Sequence, residues 1–406
     1  MIRWSVGLLF LLILIARPGN GLCFYEYRQG DSAVELYGFF GAGIGQLTYP
    51  ADSVIFENRD DQAWSGDLRL MMDADHGDSH LSANLLQSSR SKIPFTAPVA
   101  HLTPLDVERS SVLTWEQHDS GRVRSELVAD TFHLQLRSRR LDLTAGRQPI
   151  NLATTFYFTP NDFFAPFAPQ TFFRNYKPGV DSLRGDYRLS GLSQLTMIGV
   201  LVYERDSSTA NGWSRGPDWS ETALLLRISR EIAGFGWAVL AGSVDGSTIS
   251  GASLQGEIFK GIGLRAEGHY AAPETSGGNS HYKLAAGLEK LYANNFSWRL
   301  EYLRNSGGGL ANLNQVPGAA AGNRDYAALG FGWEFSPLLT GSLIGLAALD
   351  DDSRLLSCNL LYSLSNESEL SLIISIPSGD SSSTTSPGSE FGNQPRLALL
   401  EYRFYF

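Results

Sequence analysis

Polar and apolar residues alternate along many short segments of the chain, from near Val34 to the last residue. Around residue 265, Leu264 and Ala266 have one parity, whereas Arg265 between them has the other. Successive side chains of a β-strand point to opposite faces, so a period of two predicts strands with one apolar and one polar face. Segments of about ten residues with this pattern are typical of transmembrane β-barrels, although a soluble β-sandwich shows the same alternation.

The connections between these segments favour the barrel over the sandwich. Aromatic residues gather at segment ends, and short turns alternate with long connections, as expected when one rim is periplasmic and the other extracellular. Short turns are predicted near Gly77, Gly191, Gly234, Gly261, Asn294 and Pro337. Long connections are predicted at 45–62, 90–108, 149–181, 205–220, 304–323 and 378–394. Two connections on the long-loop side, near Asp245 and Asp351, are short, so the alternation is imperfect.

The number of strands follows less directly from the pattern. The alternating segments number about 19, whereas single-chain bacterial barrels have an even number of strands. Strand directions traced forward from Val34 and backward from Phe406 disagree around 124–136. One strand is therefore missed or added, and the candidates are 151–158 and 109–118. We predict an all-β fold, a transmembrane antiparallel β-barrel of about 18 to 20 strands that encloses a lumen.

Residues 1–21 are predicted to form a secretory signal peptide. A basic residue precedes 12 consecutive apolar or small residues, and a small-x-small pattern ends at Gly21. This run is too short to span a bilayer as a helix, so cleavage near Gly21 leaves 22–406 as one barrel domain. Lipid attachment at Cys23 is less favoured, because Leu22 stands where a lipoprotein signal has a small residue.

Composition and motifs exclude several classes of protein. The net charge of −10 argues against a nucleic-acid partner, and no later apolar run approaches the length of a transmembrane helix. The chain has two cysteines, Cys23 and Cys358, and no Cys-x-x-Cys-His motif, so we predict neither a disulfide framework nor a cofactor. No Gly-x-Ser-x-Gly sequence joins a strand to a helix, and we predict no catalytic residues and no enzymatic activity.

One segment, DADHGDSH, contains several residues of the kind that bind metals. They are Asp73, Asp75, His76, Asp78 and His80. The segment lies where a tight hairpin turn is expected, and Asp and Gly are common in such turns. We therefore predict a turn and no metal site.

The predicted loop 149–181 is the most unusual stretch. Between Phe156 and Phe173 it contains seven of the 22 phenylalanines, and three prolines there prevent it from joining a β-ladder. So much apolar surface is not expected on a loop exposed to solvent. We expect the loop to pack against the inner barrel wall, a partner protein or the outer rim.

A basic cluster ends this loop and begins the next strand, in a chain that is acidic overall. The candidate lumen residues are Arg174, Lys177, Arg184, Asp186 and Arg188. A ring of fixed cations beside an infolded loop predicts a constriction that favours anions. Alternatively, the Arg and Asp side chains form ion pairs that stiffen the wall. Arg147 has the apolar parity of its strand, so we expect it at the rim or past a bulge.

The same region resembles a known protein family. The segments GRQ, TPNDFFAPF and KPGVDSLRGDY are similar to the corresponding region of large Gram-negative porins of the alginate-export and phosphate-selective types. They are also similar to the barrel component of porin–cytochrome conduits, in which a barrel surrounds a multihaem c-type cytochrome. The resemblance implies an outer-membrane channel that gives small or anionic solutes a passive, water-filled route. Its alternative implication is a sheath for a cytochrome partner that carries electrons across the outer membrane.

The last ten residues, LALLEYRFYF, predict a final strand that pairs with the first, since an open strand edge cannot persist in hydrocarbon. The parity directs Ala398, Leu400, Tyr402, Phe404 and Phe406 toward lipid. It directs Leu399, Glu401, Arg403 and Tyr405 toward the lumen. Alternate residues of this strand resemble the assembly signal that the barrel-assembly machinery reads, namely Leu400, Tyr402, Phe404 and Phe406. We therefore expect two partners, this machinery and outer-membrane lipid.

Overall fold

The computed structural model describes residues 24–51, 54, 56, 59–93, 106–274, 278–308, 322–384, 386 and 388–406. The first ten of its strands are β1 (Tyr25–Gln29), β2 (Ser32–Thr48), β3 (Asp60–His76), β4 (Ser79–Ser91), β5 (Thr114–Ser120), β6 (Val123–Arg137), β7 (Leu141–Gln148), β8 (Val180–Ser190), β9 (Ser193–Val202) and β10 (Asp218–Ile232). The other ten are β11 (Phe235–Val244), β12 (Ser247–Phe259), β13 (Ile262–Pro273), β14 (His281–Leu291), β15 (Ser297–Asn305), β16 (Asp325–Ser336), β17 (Leu339–Ala348), β18 (Ser353–Ser363), β19 (Ser368–Ser378) and β20 (Arg396–Tyr405). A 3-10 helix, Ser111–Leu113, precedes β5. Within these ranges, no helix has both the length and the apolar character needed to cross a membrane.

The barrel wall is a closed sheet of 18 antiparallel strands, that is, the 20 strands of the sheet without β1 and β5. Each wall strand pairs with the next along the chain, and β4 pairs directly with β6. Closure comes from β2, which pairs with β3 on one edge and with β20 on the other. The predicted antiparallel β-barrel is therefore confirmed, with the even number of strands that bacterial barrels have.

The two segments that made the strand count uncertain both lie outside the wall. In 109–118, the residues from Thr114 onward begin β5, which pairs with the part of β6 that β7 does not reach. The other segment, 151–158, contains no strand. One short strand at the rim and one misleading alternation therefore explain why the two tracings disagreed.

The predicted tight turns all lie at one rim, between consecutive strands. Ala233–Gly234 and Lys260–Gly261 have positive φ at both residues, the backbone of a two-residue type I′ turn, whose twist matches that of the flanking strands. The long connections lie at the opposite rim, where the β7–β8 connection, 149–179, is described throughout. Parts of the connections predicted at 45–62, 90–108, 304–323 and 378–394 lie outside the described residues, as does the predicted signal peptide, 1–21.

Side-chain exposure follows the predicted parity. On β10, Leu224 is 61% exposed on the outer face, whereas the neighbouring Leu225 is 4% exposed inside the barrel. At the turn rim, outward aromatic rings pack together. The ring centroids of Phe296 and Phe331 lie 6.1 Å apart, and those of Trp333 and Phe335 lie 5.5 Å apart. Such an outward aromatic band is typical of a membrane–water interface.

The C-terminal residue, Phe406, is fixed at the seam between β20 and β2. Its N–H donates to the carbonyl of Gly38 at 3.0 Å, and the Gly38 N–H donates to its carbonyl at 2.8 Å. The ring lies over the outward side of Gly38 and packs edge-on against Phe24 at 6.2 Å. Phe406 thus has the outward parity expected for it, but it is only 8% exposed because the N-terminal Phe24 covers it.

Deleting Phe406 is predicted to reduce the amount of folded barrel in outer-membrane fractions. The deletion removes the last pair of seam hydrogen bonds and the proposed end of the assembly signal. The measurement is the heat-modifiable band on gels of isolated outer membranes. Phe335→Ala, which removes an outward aromatic ring away from the seam, is the control and should insert normally. An undiminished band after the deletion would contradict the prediction.

Candidate functional site

The loop between β7 and β8, residues 149–179, lies inside the barrel. Its backbone contacts Glu267 of β13 and Glu301 of β15, two wall residues with inward parity. On another side of the wall, the ring of loop residue Phe173 packs against Phe39 of β2 at 6.3 Å. Because several strands separate β2 from β13 in both directions around the wall, the loop crosses the lumen. Of the three locations expected for this stretch, the inner wall is the one observed.

Phenylalanines of this loop pack into three apolar clusters on the inner wall. Phe158 belongs to a buried cluster that includes Tyr326 of β16. Phe163 and Phe164 pack against a second cluster that includes Leu225 of β10. Burial of this apolar surface stabilises a loop that has no ladder of its own. The high phenylalanine content is therefore explained by packing within the lumen.

Two of the predicted lumen cations hold the loop together. Arg174 lies 4.6 Å from the ring centroid of Phe156 and donates hydrogen bonds to four loop carbonyl oxygens. Burial lowers the pKa of Arg174 to about 10. Lys177 forms a buried ion pair with Asp162, and burial lowers the pKa of Lys177 and raises that of Asp162. Both cations are therefore engaged within the loop.

The other three predicted residues lie on β8 and are also paired. Arg184 Nε is 2.7 Å from Asp186 Oδ2. Nearer the turn rim, Arg188 pairs with Asp142 and donates to two carbonyl oxygens of the β6–β7 turn. The five predicted residues thus do not form one ring, and the wall pairs have the geometry that the alternative interpretation expects.

Arg147 lies at the end of β7 that leads into the loop, where its strand partners are Phe132 of β6 and Asp181 of β8. Beside it, Gly146 has a φ of +119°, which side-chain-bearing residues rarely adopt. Arg147 is 1% exposed, and its Nε lies 2.8 Å from Asp181 Oδ1 of β8. Its terminal nitrogens donate to the carbonyl oxygens of Ser110 and Ala129 at 2.8 and 3.1 Å. It therefore joins both strands that flank the loop to β6 and to the segment before β5.

Several wall arginines face the lumen beside the loop, and no pattern in the sequence indicates that they come together. They are Arg184, Arg227, Arg265 and Arg299. Glu289 Oε1 and Oε2 each lie 2.8 Å from one guanidinium, those of Arg265 and Arg299 respectively. Arg227 forms no hydrogen bond or ion pair with any residue that the structure describes. It lines a cavity of about 270 Å³ together with loop residue Thr154. The period of two directs each arginine inward, but only the fold shows which of them lacks a partner.

The segment DADHGDSH forms the expected tight turn between β3 and β4. Gly77 has a positive φ at this turn, and His80 Nδ1 lies 3.0 Å from Asp75 Oδ1 across the hairpin. In the described parts of the chain, no three His, Cys, Asp or Glu side chains are grouped closely enough to hold a metal ion.

Comparison with known proteins identifies the fold. No protein-family model matches the sequence, and no curated protein matches it. The outer membrane protein opdK from Pseudomonas aeruginosa and a BenF-like porin from Pseudomonas fluorescens Pf-5 each superpose with a TM-score of 0.58 and 9% identity, covering 92% of this chain and 98% of theirs. Pseudomonas aeruginosa OccK9 (OpdG) is 14% identical, with a TM-score of 0.57 over 93% of this chain and 98% of its own. At these identities the likeness shows the fold alone, and that fold is the outer-membrane porin barrel.

Proposed function

We propose that this protein is an outer-membrane porin, a passive channel that lets small solutes cross in water. The observation that carries the proposal is the loop 149–179, a part of this same chain that crosses the closed barrel and narrows its lumen. An 18-stranded barrel is wide enough to leave a channel, so a narrowing loop sets which solutes pass. The superposed porin structures support the same reading, and such transport needs no catalytic group or cofactor.

The channel favours anionic solutes. Arg227 faces the lumen and has no hydrogen-bond or ion-pair partner among the residues that the structure describes, whereas the nearby carboxylates are engaged. Glu267 and Glu301 accept hydrogen bonds from the loop backbone, and Glu289 is shared by two arginines. An unpaired guanidinium in a narrowed lumen attracts anions and repels cations.

Arg227→Gln is predicted to lower the anion-to-cation permeability ratio of the channel in planar bilayers. The reversal potential under a KCl gradient measures this ratio. Arg354→Gln, which changes an exposed arginine with outward parity on β18, is the control and should leave the ratio unchanged. Arg184→Gln and Arg188→Gln should have smaller effects, since each of these cations has a carboxylate partner. Equal reversal potentials for wild type and Arg227→Gln would contradict anion preference, and silent bilayers with folded protein would contradict the channel itself.

The alternative function, a sheath around a multihaem cytochrome, is less well supported. A cytochrome would need the space that the loop 149–179 occupies. The loop also contacts inward residues on well-separated strands, Phe39 and Glu267 among them. Haem staining of a gentle detergent pull-down tests this alternative directly, and a co-purifying haem protein would favour the sheath.

A further inference from the structure

The loop inside the lumen lacks the backbone pairing that strands provide, so its N–H groups need other acceptors. Two inward glutamates of the wall supply them. Glu301 accepts from the N–H groups of Phe156, Tyr157 and Phe158 at 2.6, 2.7 and 3.1 Å. Glu267 accepts from the N–H groups of Thr154 and Asn161. Two carboxylates thus bind five backbone donors that lie more than 100 residues away in sequence.

We infer that Glu267 and Glu301, here called the clasp, are positioning residues that set the width of the channel. This inference rests on the proposed channel function. Both side chains are buried, at 4% and 3% exposure, so the hydrogen bonds form away from bulk water. A carboxylate has two acceptor oxygens and no donor, which suits a run of N–H groups that all point at one place. The clasp therefore fixes loop residues 154–161 against β13 and β15.

Two arginines also bind the loop, and each lies two residues from a clasp glutamate on the same strand. Arg265 Nη1 donates to the carbonyl oxygen of Thr154 at 3.0 Å, and the Arg299 guanidinium lies 4.3 Å from the ring centroid of Phe156. Glu289 lies between them on β14 and accepts from both arginines, but it receives no N–H from the loop. Loop donors and acceptors are thus both bound by one patch of wall. A matched carboxylate away from this patch is Glu126 of β6, which is buried and pairs with Arg90 and Arg124.

The clasp affects permeation indirectly, because it holds the loop that narrows the lumen. Glutamine in place of glutamate keeps the size of the side chain but replaces one acceptor oxygen with a donor NH₂ group, which faces a backbone N–H. A buried donor left without an acceptor is costly, so the loop segment detaches or shifts. The lumen then widens, while the hydrogen-bonded wall stays closed.

The first measurement is single-channel conductance of Glu267→Gln, Glu301→Gln and their double variant. Conductance should rise from the wild-type value toward that of a loop-shortened channel, in which a short Gly-Ser linker replaces 152–176. Glu126→Gln, with the same charge change at an inward wall residue of β6 that pairs with Arg90 and Arg124, should not produce this rise. In the loop-shortened background the clasp substitutions should have no further effect. A conducting wild type with unchanged clasp variants, or an equal effect in the loop-shortened channel, would overturn the inference.

The second measurement does not depend on conduction. Hydrogen exchange of the folded protein in detergent should show slow exchange at the five loop N–H groups that donate to the clasp. Clasp variants should lose this protection, while the wall strands of these variants and the loop of the Glu126→Gln variant keep theirs. Unchanged protection would overturn the inference even if the channel conducts. A silent wild type with lost protection would contradict the channel and leave the clasp supported as the loop anchor.

Discussion

Replacing residues 152–176 with a short Gly-Ser linker is expected to raise the single-channel conductance several-fold. An 18-stranded barrel encloses more space than wall side chains alone can fill, and here the loop takes much of that space. The wall itself does not depend on the loop for closure, because β2 and β20 pair along the seam. The shortened protein should therefore still give a closed, heat-modifiable barrel, with larger current steps in planar bilayers.

The control is a change of similar kind at the rim. Replacing 206–212, in the β9–β10 connection, removes chain that contacts the neighbouring rim segment, such as Asn211 with Arg109. This variant should keep a conductance near that of the wild type. If both variants conduct alike, or if loop shortening leaves the current unchanged in a folded barrel, the loop is not the constriction.

Much of the barrel could be predicted from the sequence because a period of two is a local property. The alternation within a strand identifies its two faces, as around Arg265. Glycines identify the tight turns, as at Gly234 and Gly261. The errors arose where local pattern and pairing differ. The segment 151–158 alternates like a strand, yet its N–H groups bind wall carboxylates instead of a neighbouring strand.

The site was less predictable because it depends on contacts between distant parts of the chain. The phenylalanine content of 149–181 indicated that the loop must bury itself, but not where. Arg174 and Lys177 looked like solute-binding cations, whereas the fold uses them to bind the loop's own carbonyl groups and Asp162. Arg227 differs from the neighbouring wall arginines in having no partner among the described residues. The sequence pattern does not show this difference, because it depends on the fold.

Arg147→Leu is expected to cost about 3–5 kcal/mol of unfolding free energy, the range for breaking a buried ion pair by removing one partner. Arg147 is almost fully buried, and its loss leaves the Asp181 carboxylate without its cation. The carbonyl oxygens of Ser110 and Ala129 also lose donors. Denaturant unfolding of the barrel in lipid vesicles measures the difference.

The matched control is Arg188→Leu, which breaks an ion pair between the same two strands, with the arginine on β8 and its partner Asp142 on β7. The Arg188 side chain is 48% exposed, so its pair with Asp142 should contribute only about 0–1 kcal/mol. The double variant Arg147→Leu/Asp181→Leu removes the uncompensated charge and should recover part of the loss. Equal losses of unfolding free energy for Arg147→Leu and Arg188→Leu would show that burial does not increase the contribution of Arg147 to stability. A larger loss at Arg147, partly restored in the double variant, would identify this buried pair as the anchor that holds both ends of the constricting loop to the wall.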